Sequence, residues 1–244
     1  MSFSHKKLFV IIPAAGSGTR MHSDKNKLLM EVDGQPVIDR TVTAFRKFAG
    51  EYGIELHGVL VVTPGKKEMW EEYISGKEAF DFIDALTEGG DSRTASVSNG
   101  VQALTGLDDD DIVFIHDAAR CLIDSAAIAR CFEVMDSGDT SVCVSGVKTK
   151  NTIKMVHKAD DGEPVTVEST PDRNLLYEVQ TPQCFKYGCL KECYDKAAKE
   201  GYEATDDTAL AEHYGYEVKI VEGSYSNIKI TTPEDIRIAQ ALLS

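Results

Sequence analysis

The chain lacks most of the features that announce a metal protein, a membrane protein or a nucleic-acid binder. Its six cysteines, at 121, 131, 143, 184, 189 and 193, form no Cys-x-x-Cys, and no His pair stands at zinc-finger spacing. No apolar run approaches the ~18 residues of a membrane span, and no basic stretch leads into an apolar one like a signal peptide. A cytoplasmic protein is therefore expected, with reduced thiols acting as small core residues. Cations are scarce: 26 Lys and Arg stand against 40 Asp and Glu, a net charge of −14. Such acidity argues against nucleic-acid and membrane partners. An anionic substrate must instead meet a local cationic cluster that works against the global field.

Two familiar phosphate loops are missing as well. No Gly-Lys pair follows Gly16 or Gly18 at Walker A spacing. Met21 occupies the place of the third glycine of a dinucleotide fingerprint, where its bulk would spoil close helix–strand packing. What is present is an apolar run, Leu8-Phe9-Val10-Ile11-Ile12, that reads as a fully buried strand. It leads into Pro13-Ala14-Ala15-Gly16-Ser17-Gly18-Thr19-Arg20-Met21, then Lys25-Asn26-Lys27-Leu28. Small residues let backbone N–H groups approach an anion closely, and Arg20, Lys25 and Lys27 follow at once. The pattern points to a polyphosphate site at the C-terminal edge of an α/β sheet, with a tight ligand-free turn as the alternative.

At 244 residues, 42% hydrophobic and 27% charged, the chain fits one large soluble α/β domain. Helical faces recur at Val37, Ile38, Thr41, Val42, Phe45 and Phe48, at Met69, Trp70, Tyr73 and Ile74, and at Val97, Val101 and Leu104, the last in a helix starting near Ser92. A further helix spans about Asp124 to Met135. Strands at Leu56–Val62, Phe82–Leu86, Ile112–Ile115 and Thr140–Val147 alternate with them, which argues for parallel pairing with right-handed crossovers.

The alternation breaks at 148–172, where two β-rich runs flank the polar turn Lys158 to Pro164. This hairpin is too thin to pack alone, so it should project and pair with another subunit. A strand over Leu175–Gln183, helices at Tyr187–Glu200 and from Thr205-Asp206-Asp207 to His213, and strands at Glu217–Glu222 and Asn227–Ile230 follow. A last helix starts with Thr232 as cap, Pro233 at its first position and Asp235 near the capping-box site. The expected fold is α/β and Rossmann-like: a mostly parallel central sheet with helices on both faces and a projecting β-arm at about 148–172, in a single domain over 1–244.

Two other segments carry chemistry. Gly89-Gly90-Asp91-Ser92-Arg93 precedes a helix, leaving backbone donors and a positive dipole end at the sheet edge. His116-Asp117-Ala118-Ala119-Arg120 follows a buried strand, so Asp117 is placed to hold Mg²⁺ and Arg120 to meet a phosphate bidentately. His116 reads as structural, and the acids Asp108 to Asp111 as a solvated loop.

Taken together these segments resemble the 2-C-methyl-D-erythritol 4-phosphate cytidylyltransferase family of the sugar-phosphate nucleotidylyltransferases, over almost the whole chain. The likeness rests on the opening loop with Arg20 and Lys27, on Gly89-Gly90-Asp91-x-Arg93-x-x-Ser96-Val97, and on His116 to Arg120. It continues through Thr152-Ile153-Lys154, Asp172-Arg173-Asn174, Gln180-Thr181-Pro182-Gln183, Thr205-Asp206-Asp207 and Asn227-Ile228-Lys229-Ile230-Thr231. The resemblance implies a nucleotidyltransferase that joins CTP to methylerythritol phosphate and releases pyrophosphate, with Mg²⁺ or another divalent cation, in non-mevalonate isoprenoid synthesis.

By motif position it implies that Pro13, Ala14, Ala15, Gly16, Ser17, Gly18 and Ala118 bind the nucleotide, while Gly90, Asp91 and Ser96 read its base and ribose. Arg20, Lys27 and Lys229 would be the catalytic cations. Arg120, Thr152, Arg173 and Thr181 would hold the methylerythritol phosphate, together with Lys229, and Asp117 the metal. It also implies a homodimer whose arms exchange, with Arg173 serving the neighbour's site. The chain departs from the family's usual residues at Cys121, where Pro is common, at Asn26-Lys27-Leu28, and at Ser226, where an Asp is common. The nearest alternative is a cytidylyltransferase for another polyol phosphate such as ribitol 5-phosphate. A sugar-nucleotide-binding regulatory module that has lost turnover is another.

Overall fold

The computed structural model describes residues 3–16, 26–157 and 165–243. Strand β1 (Lys7–Pro13) buries every residue from Leu8 to Ile12. Its alternate side chains serve two cores: Leu8, Val10 and Ile12 join one, Phe9 and Ile11 the other. A strand covered on both faces has no polar side, which is why its sequence does not alternate. Each such side chain contributes about 1.5–3 kcal/mol relative to exposure.

The short hairpin β2 (Glu31–Val32) and β3 (Gln35–Pro36) turns at Asp33 and Gly34, both at positive φ. That Asp-Gly pair is a local signal for a two-residue hairpin turn, and this hairpin adds to the elements expected from periodicity. Helix α1 (Val37–Tyr52), strand β4 (Glu55–Val62), helix α2 (Lys67–Ile74), strand β5 (Ile83–Glu88) and helix α3 (Arg93–Ala103) follow. Then come β6 (Ile112–Ile115), α4 (Ser125–Asp136) and β7 (Val142–Lys148). Asp124, at the expected start of α4, caps it by accepting from the N–H of Ala127 at 2.6 Å.

Strands β8 (Met155–Val156) and β9 (Val167–Ser169) pair only with each other, antiparallel, in a separate two-stranded sheet. This is the expected arm hairpin. Strand β10 (Tyr177–Lys186), helices α5 (Tyr187–Glu200) and α6 (Asp207–His213), strand β11 (Lys219–Glu222) and helix α7 (Pro233–Leu243) complete the described chain. Asp235 accepts from the N–H groups of Thr231 and Thr232, each at 2.7 Å, which accounts for the sharp start of α7.

The main sheet runs β11-β7-β10-β6-β1-β4-β5. β1 is parallel to β4 and β6, β4 to β5, and β11 to β7, while β10 runs antiparallel to both β6 and β7. Helices α1, α2 and α4 cover one face, and α3, α5 and α6 the other. From β1 the chain moves out through β4 to β5, then returns to β6 on the opposite side of β1. The crevice beyond β1 and β6 is therefore a topological switch point, where open α/β sheets bind ligands.

One expected strand is absent. Asn227–Ile230 joins no sheet, because its groups fasten the loop after β6: Ile230 donates to the Ala119 carbonyl at 2.8 Å, and the Asn227 carbonyl accepts from Arg120 at the same distance. All six cysteines are buried and unpaired. Among the described residues, no helix is long and apolar enough to cross a membrane.

Candidate active site

The loops that leave β1 and β6 line a cleft of about 490 Å³ at the switch point. Pro13, Ala14, Ala15 and Gly16 form one side, Gly90, Asp91 and Ser96 a second, and Lys27, Asp117 and Lys229 converge from three further segments. Ser17, Gly18, Arg20 and Lys25 lie outside the described residues.

Two glycines let these walls meet. A Cβ on Gly89 would lie 2.7 Å from the Cβ of Ala15, and one on Gly90 would lie 2.6 Å from that of Ala95. A side chain at Gly89 would press on both the β1 loop and α3, and one at Gly90 would push its turn off the start of α3. The Ser96 hydroxyl accepts from the Gly90 N–H at 3.1 Å and bonds the Ser92 carbonyl at 2.8 Å, so it shapes the turn as well as lining the cleft. Ser92 itself caps α3, accepting from Ala95 at 3.1 Å. That leaves the α3 N-terminus, with its positive dipole end, facing the cleft.

Asp117 sits at the centre of the charge. Lys229 Nζ lies 2.8 Å from its Oδ2, Arg120 Nε 3.6 Å from the same oxygen, and Arg93 3.8 Å from Oδ1. Burial alone would raise the Asp117 carboxyl, but Lys229, Arg93 and Arg120 outweigh it and hold it at about 2. The group is thus an anion at neutral pH, the kind of ligand a hard cation takes. Lys27 Nζ donates to the Ile230 carbonyl at 3.1 Å, which ties the segment after β1 to the segment that carries Lys229.

Arg93 is the residue whose role the sequence leaves open. Its two terminal nitrogens donate to the two oxygens of Asp207 at 2.6 and 2.7 Å. Asp207 is buried, accepts from the Tyr194 hydroxyl at 2.5 Å, and its N–H donates to Gln183 Oε1 at 2.8 Å. Burial works against the Arg93 charge, but Asp207 and Asp117 more than compensate and its pKa rises. Thr205-Asp206-Asp207 stands out as a motif, but nothing in its spacing tells that its last acid grips Arg93.

Some expected ligands face elsewhere. Ala118 does not line the cleft: it is buried, its N–H donates to the Pro13 carbonyl at 3.3 Å, and its own carbonyl accepts from Thr41 at 2.9 Å. Ala119, one residue on, lines the cleft instead. The Thr181 hydroxyl is buried below the cleft, accepting from the Asp117 N–H at 3.1 Å and bonding His116 Nδ1 at 2.9 Å. Arg120 is largely enclosed and donates to the Asn227 carbonyl. Burial depresses the Arg120 pKa, against the pull of Asp117. Thr152 and Arg173 are exposed on the arm and do not line the cleft of their own chain. Ser226 Oγ lies 2.6 Å from Ser224 Oγ. Among the described residues no group of three or more metal-ligating side chains exists. Asp117 is the carboxylate on which the cleft's cations converge.

Comparison with known proteins agrees along the whole length. The family model described as "IspD: 2-C-methyl-D-erythritol 4-phosphate cytidylyltransferase" matches residues 8–244. The 2-C-methyl-D-erythritol 4-phosphate cytidylyltransferase of Desulforamulus reducens is 39% identical over 236 residues, covering 97% of this chain and 95% of the relative. That of Clostridium novyi is 40% identical over 233 residues, covering 96% and 95%. Among solved structures, the 4-diphosphocytidyl-2C-methyl-D-erythritol synthase of Anaerococcus prevotii superposes with a TM-score of 0.78 at 28% identity, covering 98% of each chain. The cytidylyltransferase of Thermus thermophilus gives 0.72 at 29%, covering 99% of this chain and 98% of that one.

Proposed function

Because the chain belongs to the 2-C-methyl-D-erythritol 4-phosphate cytidylyltransferase family, we propose that the cleft beyond β1 and β6 is where its reaction takes place. The enzyme transfers CMP from CTP to 2-C-methyl-D-erythritol 4-phosphate, giving CDP-methylerythritol and pyrophosphate. The observation that carries the site assignment is the convergence of Lys27, Lys229, Arg93 and Asp117 on one cleft of an otherwise strongly acidic protein.

In the transfer, an oxygen of the acceptor phosphate attacks the α-phosphorus of CTP. The new P–O bond forms as the bond to the β-phosphate oxygen breaks, and pyrophosphate leaves. The attacking phosphate is already an anion near neutral pH, so no side chain has to remove a proton. The barrier lies in bringing two anions together and in charge on a loose transition state, which positioning and electrostatics lower. On this reading the backbone of Pro13 to Gly16, with Ser17 and Gly18, cradles the triphosphate. Gly90, Asp91 and Ser96 bound the base and ribose. Lys27 and Arg20 stabilise charge at the α-phosphate, and Lys229 screens the approach of the acceptor.

Mg²⁺ fits this donor set in the way the ion prefers, through one carboxylate plus substrate phosphates and waters. Asp117, ionised and facing the cleft, would hold it, and the ion would neutralise charge shared between the phosphates.

The working unit on this reading is a homodimer of single-domain chains joined through the arm. Support comes from the apolar side chains that the arm leaves exposed, among them Met155 at 50% and Val167 at 51%. Arg173, remote from its own cleft, would then reach the partner's with Thr152. The decisive experiment is a matrix of CTP, UTP and ATP against several polyol phosphates with pyrophosphate as readout. Release with CTP and methylerythritol phosphate above all other pairs is expected. Preference for another acceptor would overturn the assignment.

A further inference from the structure

The turn between β6 and α4 carries Asp117 and Arg120, two groups that must stand at a fixed separation if one serves a cation and the other a phosphate. Each end of that turn is fastened to a different part of the molecule. His116 N–H donates to the Ile11 carbonyl at 2.9 Å, Arg120 N–H to the Asp117 carbonyl at 3.0 Å, and Ile230 N–H to the Ala119 carbonyl at 2.8 Å. Beneath it lies the fully buried ring of His116, packed edge-on against Phe45 at 5.1 Å between centroids.

The ring's two nitrogens reach opposite ends of the turn. Nε2 is 3.2 Å from the Arg120 carbonyl oxygen, and Nδ1 is 2.9 Å from Thr181 Oγ1. A carbonyl oxygen can only accept, so the proton belongs on Nε2. The Thr181 hydroxyl accepts from the Asp117 N–H at 3.1 Å, which leaves its own hydrogen to donate to Nδ1. A continuous chain results: Asp117 amide to Thr181 hydroxyl, to His116 ring, to Arg120 carbonyl.

We propose that His116 is a positioning residue of the transfer site, its imidazole setting the Asp117–Arg120 separation by linking the Arg120 carbonyl to the hydroxyl on which the Asp117 amide rests. The inference rests on the cytidylyl-transfer reading of the cleft. It explains why a histidine occupies a site where packing alone would accept Phe: the ring fills the space beside Phe45, but only an imidazole both donates at one edge and accepts at the other. It also joins the catalytic turn to β10, the strand that returns from the arm.

The test is a set of variants measured per folded enzyme, with thermal unfolding followed in parallel. His116→Phe should lower kcat by roughly 10- to 100-fold, the range for losing a supporting partner of a site ligand. KM for CTP should stay close to wild type, because the triphosphate walls at Gly16 and Gly90 are not part of the chain. Thr181→Val should reproduce the loss, and the double variant should be little worse than either, since both cut one chain. His116→Gln, which keeps a donor able to reach the Arg120 carbonyl, should recover part of the activity. Ring ¹⁵N shifts of the wild type should report the Nε2–H tautomer.

Wild-type kcat in folded His116→Phe, multiplicative losses in the double variant, or an Nδ1–H tautomer would each overturn the proposal. Should His116→Phe not fold, Thr181→Val, His116→Gln and the tautomer still decide it. A wild type that releases no pyrophosphate from CTP and methylerythritol phosphate would instead overturn the functional reading, and the ring's tautomer would remain measurable.

Discussion

The guanidinium of Arg93 and the carboxylate of Asp207, 114 residues apart in the chain, meet in a two-pronged pair at 2.6 and 2.7 Å on the wall of the cleft. The fork holds Arg93 off Asp117, 3.8 Å away, so the Asp117 carboxylate is not fully neutralised by it. Removing Asp207 should both destabilise the fold and let Arg93 swing to Asp117. Breaking a buried pair typically costs ~3–5 kcal/mol, but the Arg93 side chain keeps some contact with water. For Asp207→Asn we therefore expect a loss of about 2–3 kcal/mol in urea unfolding, with a raised KM for CTP. Unchanged stability would show that the pair is dispensable.

How much of this is legible in the sequence differs from residue to residue. The burial of β1 follows from its unbroken apolar run, and the starts of α4 and α7 from Asp124 and from Thr232-Pro233-Asp235, because those signals are local. The antiparallel direction of β10, the grip of Asp207 on Arg93 and the use of Asn227–Ile230 as a strap over the Arg120 loop are not legible, since each depends on partners distant in sequence. Nor is it legible that Ala119 rather than Ala118 lines the cleft, since which alanine of the turn faces outward depends on how the turn is bonded to β1 and Thr41. Arg20, central to the opening motif, lies outside the described residues.

Lys27 stands in the cleft, tied to the segment that carries Lys229 by its bond to the Ile230 carbonyl. Loss of one preorganised charge donor typically costs on the order of 100- to 1,000-fold in turnover. Lys27→Ala should lose that much turnover or more, with an unfolding midpoint near wild type. Wild-type pyrophosphate release would remove Lys27 from the mechanism.

Two glycine variants separate packing from function. Gly90→Ala places a Cβ 2.6 Å from Ala95 at the cleft wall, and Gly100→Ala places one 2.6 Å from Ile11 in the core. Overpacking should cost each about 1–3 kcal/mol. Only Gly90→Ala should also raise KM for CTP, because only it pushes a turn that lines the cleft away from the start of α3. Equal KM values for the two variants would argue that this turn does not contact the nucleotide.

Arm function is open to a mixing experiment. Arg173→Ala and Lys27→Ala chains, each inactive alone, are combined after unfolding and refolding. If Arg173 serves the partner's cleft, a mixed dimer holds one intact site. Half the dimers are then mixed with one good site of two, so about a quarter of wild-type activity should return. No recovery would place Arg173 and Lys27 in the same site. Charging the exposed arm with Met155→Glu and Val167→Glu should yield a monomer in sedimentation.

Acid stability follows from two neighbours that titrate in different windows. Burial lowers His116 from 6.5 to about 4, so below pH 6.5 the unfolded chain binds a proton that the folded one refuses. Stability should fall by ~3 kcal/mol as pH drops from about 6.5 to about 4, then lose nothing further from this ring. Asp117, held at about 2 against a burial cost by Lys229, Arg93 and Arg120, acts lower down. Its contribution is complete above pH ~4 and disappears as pH falls to about 2, another ~2 kcal/mol. Urea midpoints measured from pH 7 to pH 2 should therefore decline in two stages. His116→Gln, which cannot take up a proton, should flatten the upper stage and leave the lower one. An upper stage that persists in that variant would mean another group controls it.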